Sequence, residues 1–423
     1  MQRRGRLHAV AVGIDLPALH GEGDLVAAIG HLLRSRFDSL DAGGGFQNYP
    51  DDYAVVNELH RNRELSVWLA YNLFTQKPKQ ELVDFESWTK MTKPGDGDDF
   101  YRVNGAGEML VFSAADFEDF LVPRPDMVPV MESELKAVIR HLVENRWPFR
   151  LHTTYNETIE RALNVYEEVN REIPFDGLHW FFDHCETITD RNIERVKALG
   201  GGIAVQNRMA FQGEYFVEQY GAQQAQRTPP IRRMLEMGVP VGAGTDATRV
   251  SSYNPYLSLY WLITGKTIGG LGLYPEENRL DRAEALKLYT MGSSWFSTED
   301  GKKGALAPGQ LADLAVLSAD YFSIPEEEIK DLESVLTIVG GRVVYATEEH
   351  ASLAPPELRV SPGWSPVAHY GGYAKPSKSL AGASHSTSCR HSRLGHAEEG
   401  PKGHVRVFGK SGLWSLGCDC FAF

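Results

Sequence analysis

The 423-residue chain holds only four cysteines, and three of them fall in the last 35 residues. Cys185 stands alone in the body, so no disulfide framework holds the fold. Long apolar runs are also missing: none approaches the roughly 18 residues of a membrane span. The opening "MQRRGRLHAVAVGIDLPALHGEG" places basic residues before a short apolar stretch, but has no convincing small-residue cleavage site. A cytoplasmic protein is therefore expected. Positive charge is scarce where it would matter for polyanions. The net charge is −13, yet residues 351–423 carry eight Lys/Arg against four Asp/Glu, which leaves −17 on the first 350. That argues against nucleic acid or an anionic membrane as partner of the main body. Neither Gly-x-Gly-x-x-Gly after the first strand nor a P-loop pattern occurs, so nucleotide-binding open sheets lose support.

What is present is an alternation of short apolar runs and amphipathic stretches. The runs are "DSLDAGG" (38–44), "LSVWLAYNL" (65–73), "GEMLVF" (107–112), "PFRLHT" (148–153), "GLHWFFDH" (177–184), "GGIAVQ" (201–206) and "VPVGAG" (239–244). Each is followed by a helical pattern such as "NETIERALNVYEEVNRE", with Asn156 and Thr189 placed as helix caps. Apolar strands followed by helices indicate parallel βα units with the sheet covered. The fold class is α/β. Seven units are one short of a (β/α)8 barrel, whereas a doubly wound sheet could use seven. After residue 304 the texture becomes β-rich, with Gly-Gly at a hairpin position in "VLTIVGGRVVYA". Beyond about residue 349 the chain is rich in Pro, Ser, Gly and His without a core-forming period, and disorder is expected there. The predicted organisation is an atypical segment over 1–37, a barrel over 38–303, a small sheet over 304–348 and a tail over 349–423.

In a parallel barrel, functional side chains lie at the carboxyl ends of the strands. That rule selects His152 after "PFRL", His184 after "LHWFFD", Gln206 after "GIAV", and Asp246 after "VPVGAGT"; Glu108 is the sole carboxylate in "GEMLVF". Strand alternation sets His184 on the face of Trp180 and Phe182, opposite His179 and Asp183. A buried carboxylate needs a cation or several donors. Two imidazoles and two carboxylates, Glu108, His152, His184 and Asp246, make a site for a divalent ion of the zinc type, which nitrogen and carboxylate oxygen suit. Taken singly, each has a blander use: a hydrogen-bonded structural histidine, a loop cap, a carboxylate paired with arginine. Their recurrence at equivalent strand ends favours the metal. Tyr155, Trp180, Arg249 and Tyr253 are candidates for an aromatic mouth, or for packing. The tail offers a second cluster in His385, Cys389, His391, His396, His404, Cys418 and Cys420, but without the paired spacing of zinc modules.

"RLHTTYNETI", "DHCETITDRNIERVKALGGGIAVQNRM" and "VGAGTDATRVSSYNP" resemble strands five to eight of the amidohydrolase superfamily. The nearest branch is amidohydrolase family 3, which includes N-substituted formamide deformylases. "DGKKGALAPGQLADLAVL" and "VLTIVGGRVVY" resemble its closing β-sandwich segment. The resemblance spans about residues 38–348. It implies a TIM-like (β/α)8 barrel with a small β-sandwich remnant, a zinc-type centre, and hydrolysis of a non-peptide carbon–nitrogen bond in a small-molecule substrate. His152 matches the strand-five ligand, His184 the strand-six ligand and Asp246 the strand-eight aspartate, which serves as ligand and as general base and acid. Glu108 falls nearest the bridging position of strand four. The family's His-x-His of strand one occurs nowhere in the 423 residues. A barrel lacking its first βα unit, N-terminally truncated, is therefore expected. "LHAVAVGIDL" (7–16) is a substitute strand whose His8 lies at the wrong end. Open edges in such a barrel favour a homo-oligomer. The rival reading is a catalytically silent relic that keeps the fold and binds one ion or a small molecule.

Overall fold

A computed structural model describes residues 49–356, apart from 76, 118–119, 122 and 247–250, together with the short strands at 7–8, 12–13, 39–42, 397–399 and 405–407. Two compact units divide the chain, residues 1–359 and 360–423. The second contains an antiparallel pair, Ala397–Glu399 with Val405–Val407. Its histidines and cysteines lie outside the described residues.

The first unit contains two sheets. Strand β1 (Leu7–His8) belongs to the smaller one, and β2 (Val12–Gly13) begins the larger. The larger sheet continues through β3 (Ser39–Ala42), β4 (Trp68–Leu73), β5 (Tyr101–Ala106), β6 (Phe149–Thr153), β7 (Trp180–His184), β8 (Gly202–Gln206) and β9 (Val241–Gly244). All neighbours are parallel and follow chain order. The sheet thus has eight strands, not the seven expected. Val12 and Gly13 pair with Leu40 and Asp41, filling the slot that was thought missing. β2 also lies against β9, although no hydrogen-bonded ladder joins them among the described residues. With the β3 edge covered, the edge-exposure argument for self-association loses its footing. The smaller sheet is antiparallel and runs β1, β10 (Leu314–Leu317), β11 (Ser334–Val339), β12 (Arg342–Ala346). Gly340 and Gly341 turn the last hairpin with φ of 54° and 77°, the left-handed region that the Gly-Gly pair anticipates.

Helices cover the large sheet because their apolar residues recur on one side. In α1 (Asn156–Glu172), Ile159, Ala162, Leu163, Tyr166 and Val169 are buried while the intervening Glu and Arg face outward. Tyr166 packs against Phe149 of β6 and against Trp180 and Phe182 of β7. That fixes the strand faces: Phe149, Leu151, Trp180 and Phe182 look toward helices, Arg150, His152, Phe181 and Asp183 into the barrel. α2 (Pro255–Thr264) is buried at all ten positions, in keeping with a sequence that is apolar or aromatic except at Ser258 and Thr264. Asn254 caps it through Tyr256 N, 2.9 Å away. Thr189 precedes its helix as expected but makes no side-chain cap bond. Asn156 lies inside its helix, and its Oδ1 instead accepts from Thr189 N, Thr189 Oγ1 and Asn192 Nδ2, tying two mouth loops together.

The fourth barrel strand differs from the sequence reading. β5 is Tyr101–Ala106, whose polar Arg102 and Asn104 are satisfied inside by Glu299 (2.9 Å) and by the Phe296 carbonyl (3.0 Å). "GEMLVF" is the chain just past its end. β5 meets β6 at a single register pair, Ala106 with Phe149. A Cβ on Gly105 would stand 2.4 Å from Pro148 O, and one on Gly107 (φ 107°) 2.1 Å from Arg150 O. Glycine is required at both positions for the chain to approach β6 and then turn Glu108 toward the mouth. Gly107→Ala is therefore expected to destabilise the fold by about 3 kcal/mol, combining backbone strain with a backbone clash. Chemical denaturation measures it, and a loss under about 1 kcal/mol, within the range of ordinary surface substitutions, would contradict the close approach.

Candidate metal centre

Three side chains converge at the carboxyl ends of β5, β6 and β7. Oε1 of Glu108 is 3.1 Å from Nδ1 of His152, which is 2.8 Å from Nε2 of His184. Nε2 of His184 is 3.8 Å from the same Glu108 oxygen. All three residues are buried, and their donor atoms lie within 4.8 Å of one another.

Each gets there by a local device. His152, the last residue but one of β6, lies on its interior face, and its backbone N–H donates to Glu108 O at 3.1 Å. His184 should follow Phe182 toward the helices, by strand alternation. It does not, because φ is 73° at His184 and 56° at Cys185, and this left-handed turn swings the ring into the mouth. The expected shared face with Trp180 and Phe182 is thereby overturned. Trp180 itself opens β7 at the far end of the barrel, fully buried, its indole N–H donating to Leu199 O. It packs rather than lining the mouth. Tyr155 does lie on the mouth side, buried, with its hydroxyl 3.2 Å from Tyr220 and Arg124 over its ring. Arg249 lies outside the described residues.

Beneath the trio runs a buried charge ladder that the sequence did not advertise. Arg150 donates twice to Asp183, at 2.7 Å each, and reaches Glu108 Oε2 at 3.3 Å. Above, Nε2 of His152 is 3.1 Å from Asp116 Oδ1. Asp116 is completely buried and also accepts from the backbone N–H groups of Thr154 and Tyr155 at 2.9–3.0 Å. A carboxylate behind a ligand histidine fixes its ring and raises its basicity. Asp116 was missed because "SAADFEDF" reads as an ordinary loop in which it is one of three carboxylates.

Charge states follow from these contacts. Burial would raise the Glu108 carboxyl, but the hydrogen bonds from His152 and His184 outweigh it and hold it well below the usual range. Burial would lower His152, but Asp116 and Glu108 push it up to about 10. Burial and the His152 charge push His184 down. Burial raises Asp183 to about 7 against the pull of Arg150. The trio is therefore a carboxylate, a neutral imidazole and an imidazolium whose Nδ1–H faces both of the others. A cation in place of that proton would find three lone pairs converging on it. Nδ1 of His184, buried with no hydrogen-bond partner, faces the other way, toward Asp246. The donor set of two nitrogens and a carboxylate oxygen fits a zinc-type ion.

Asp246 stands just outside the converged trio. It follows β9 with φ of 49°, is partly exposed, and has Oδ2 3.9 Å from Nδ1 of His184. Gln206 ends β8 as expected but is tied elsewhere, its Nε2 donating to Glu186 Oε1 at 2.8 Å.

Comparison with known proteins places this arrangement in context. A family model described as "Amidohydrolase family" matches residues 22–345. The N-substituted formamide deformylase of Arthrobacter pascens is 27% identical over 197 residues, 46% of this chain and 36% of that protein. YtcJ of Bacillus subtilis (strain 168), named as an amidohydrolase, is 26% identical over 227 residues, 53% of this chain and 42% of the other. The matched stretch thus spans less than half the length of either relative. The crystal structure of an uncharacterized metal-dependent hydrolase from Pyrococcus horikoshii OT3 superimposes with a TM-score of 0.57 at 21% identity, covering 71% of this chain and 60% of that one. That likeness concerns the fold.

Because His152 keeps its proton up to about pH 10 in the metal-free protein, a cation taken up at Nδ1 must displace it. Affinity for zinc is expected to rise about tenfold per pH unit between pH 7 and 9, with about one proton released per ion. Titration calorimetry in buffers of different ionisation enthalpy reads both quantities. Uptake without proton release would contradict the charge assignment.

Proposed function

The chain belongs to the amidohydrolase family, and from that premise we propose that it is a metal-dependent hydrolase cleaving a non-peptide carbon–nitrogen bond of a small-molecule substrate. Glu108, His152 and His184 would hold the divalent ion, zinc being the metal that the donor set suits, whereas Asp246, expected as a fourth ligand, stands on the Nδ1 side of His184, away from the converged donors. The observation that carries this reading is the convergence of Glu108, His152 and His184 within 4.8 Å, at the carboxyl end of the barrel. By the family resemblance His152 and His184 stand for the ligands of strands five and six, and Glu108, just past β5, falls nearest the bridging position of strand four. A bound divalent ion supplies Lewis acidity, acidifying water and polarising a carbonyl oxygen.

The chain's own groups do the rest. Asp116 holds the His152 ring in one orientation, and Arg150 offsets the charge of the buried Glu108 and Asp183. In this reading Asp246, partly exposed with Oδ2 3.9 Å from His184 Nδ1, takes a proton from the attacking water and returns it to the departing nitrogen. An amine leaves poorly as an anion, so the proton return matters as much as the abstraction. No helix among the described residues is long and apolar enough to cross a membrane.

A second reading has one observation in its favour. No His-x-His occurs in the sequence, and β2, which occupies the first barrel position, is only two residues long. A silent relic with the fold and a single ion site accounts for that equally well. The two readings share a stoichiometry and part at turnover.

Purified protein is expected to bind at most about one divalent ion in the barrel mouth, and His152→Ala or His184→Ala should each abolish it, since a site of three or four ligands tolerates little loss. Two tightly bound ions by metal analysis would contradict the ligand count. For Asp246→Asn, hydrolysis of an N-substituted formamide should fall by roughly 10²–10⁴-fold, the usual worth of a general acid–base group, with metal content falling less. Unchanged turnover with intact metal would remove Asp246 from the chemistry, and zinc-loaded wild type inert on a panel of formamides and other amides would favour the relic.

A further inference from the structure

Asp116, the carboxylate behind His152, belongs to no strand or helix. It stands on the connection that leaves β5 after Ala106 and enters the next α-helix at Met131. A 3₁₀ turn, Phe112–Ala114, lies on the way. Connections this long inside a compact domain usually carry function. A side chain on such a connection is held no better than its backbone. What fastens the connection therefore decides how firmly Asp116 meets His152.

Three fastenings hold it. Asp116 itself accepts from the backbone N–H groups of Thr154 and Tyr155. Arg124 Nη1 donates to both oxygens of Glu157, at 2.7 and 2.9 Å. Its guanidinium also lies over two rings, 4.7 Å from the centroid of Tyr155 and 5.0 Å from that of Tyr220. Farther along, Arg161 donates to the Met127 and Val128 carbonyls at 2.9 and 3.0 Å. Phe120 packs edge-on against Phe216, with the ring centroids 5.0 Å apart. Most of the partners share one origin. Thr154, Tyr155, Glu157 and Arg161 all follow His152, in the loop after β6 and the first turns of α1. The connection is riveted to the segment that carries the ligand.

Among these fastenings Arg124 has the most built geometry. Pro123 and Pro125 flank it and restrict the backbone that presents it. Two-pronged pairing and stacking on aromatic faces are properties of a guanidinium that an ammonium lacks. Glu157 is 65% exposed, and an ion pair so placed adds little to global stability. Its consequence is local. We propose that Arg124 is a positioning residue for the metal centre: by clasping Glu157, Tyr155 and Tyr220 it fixes the connection so that Asp116 stays on Nε2 of His152. Tyr155 is the shared link, since its ring lies under Arg124 and its backbone N–H donates to Asp116 at 3.0 Å. With the clasp open, the His152 ring loses its fixed orientation, and Nδ1 no longer points steadily at the site of the ion. The proposal rests on the metal-site part of the reading above and is independent of which bond is cleaved.

Zinc affinity and amide exchange in the full chain test it. Arg124→Ala is expected to weaken zinc at least about fivefold in competition with a chromophoric chelator, because partners behind a ligand histidine are worth about 10–100-fold in metal affinity. It should also speed hydrogen exchange at the Thr154 and Tyr155 amides by about tenfold, read by mass spectrometry on peptides that cover them. Asp116→Asn should weaken zinc by about 10–100-fold. The double variant should lose no more than Asp116→Asn alone, since Arg124 acts through that carboxylate. Arg140→Ala removes another exposed pairing, with Glu144 and Glu172, and should change neither readout. The melting temperature of Arg124→Ala should match that of Arg140→Ala. Wild-type zinc affinity in Arg124→Ala would overturn the clasp, and so would unchanged exchange at the two amides or additive losses in the double variant. If Asp116→Asn fails to fold, the single Arg124→Ala variant decides. A wild-type chain that takes up no zinc would retire the metal centre, and exchange at Thr154 and Tyr155 would still decide the clasp.

Discussion

Burying Glu108 is the constraint from which the rest of the barrel mouth follows. A carboxylate at 6% exposure must be compensated at once, because an unpaired buried charge costs several kcal/mol. Arg150 answers from below and His152 from beside. Each then creates a demand of its own. Arg150 has donors left over, which Asp183 takes in a two-pronged pair. His152 has a second nitrogen, which Asp116 takes. Removing one member of such a buried pair costs about 3–5 kcal/mol, so the ladder stands or falls as a unit. Among the described residues it is also what delivers two imidazole nitrogens and one carboxylate oxygen to a common point.

The backbone serves the same constraint. Two glycines let β5 press against β6 before the chain turns Glu108 inward, and a left-handed turn at His184 and Cys185 breaks strand alternation to bring the second imidazole round. Strained conformations of this kind persist when the surroundings over-determine them, and they gather at functional sites. The left-handed turn at His184 and Cys185 is of this kind, and it carries one member of the metal trio.

Much of this was legible in the sequence. Six of the seven apolar runs are strands of the barrel; the strand-end rule picked out His152 and His184, and Glu108 was marked as the lone carboxylate of its apolar run. Three things were not legible, for physical reasons. β5 was misplaced because its polar Arg102 and Asn104 face a polar patch inside the barrel, formed by Glu299 and the Phe296 carbonyl, while the apolar "MLV" that follows is buried outside any strand. Hydrophobicity reports burial, not strand geometry. β2 falls inside the substitute strand offered at 7–16, but two residues leave no periodicity from which to fix its bounds or its pairing. Asp116 was invisible because its role depends on a histidine 36 residues away in the chain, and only the tertiary fold brings the two within 3.1 Å.

The central claim is that the Glu108–His152–His184 convergence is a cation site rather than a self-satisfied charge network. Anomalous diffraction at the zinc edge, from crystals grown with zinc and diluted to stoichiometric metal, tests it most directly. The account predicts a single strong peak within bonding distance of Glu108 Oε1, His152 Nδ1 and His184 Nε2, with the His152–Asp116 contact kept. An empty trio, its imidazoles still bonded to each other while zinc sits elsewhere in the protein, would contradict it.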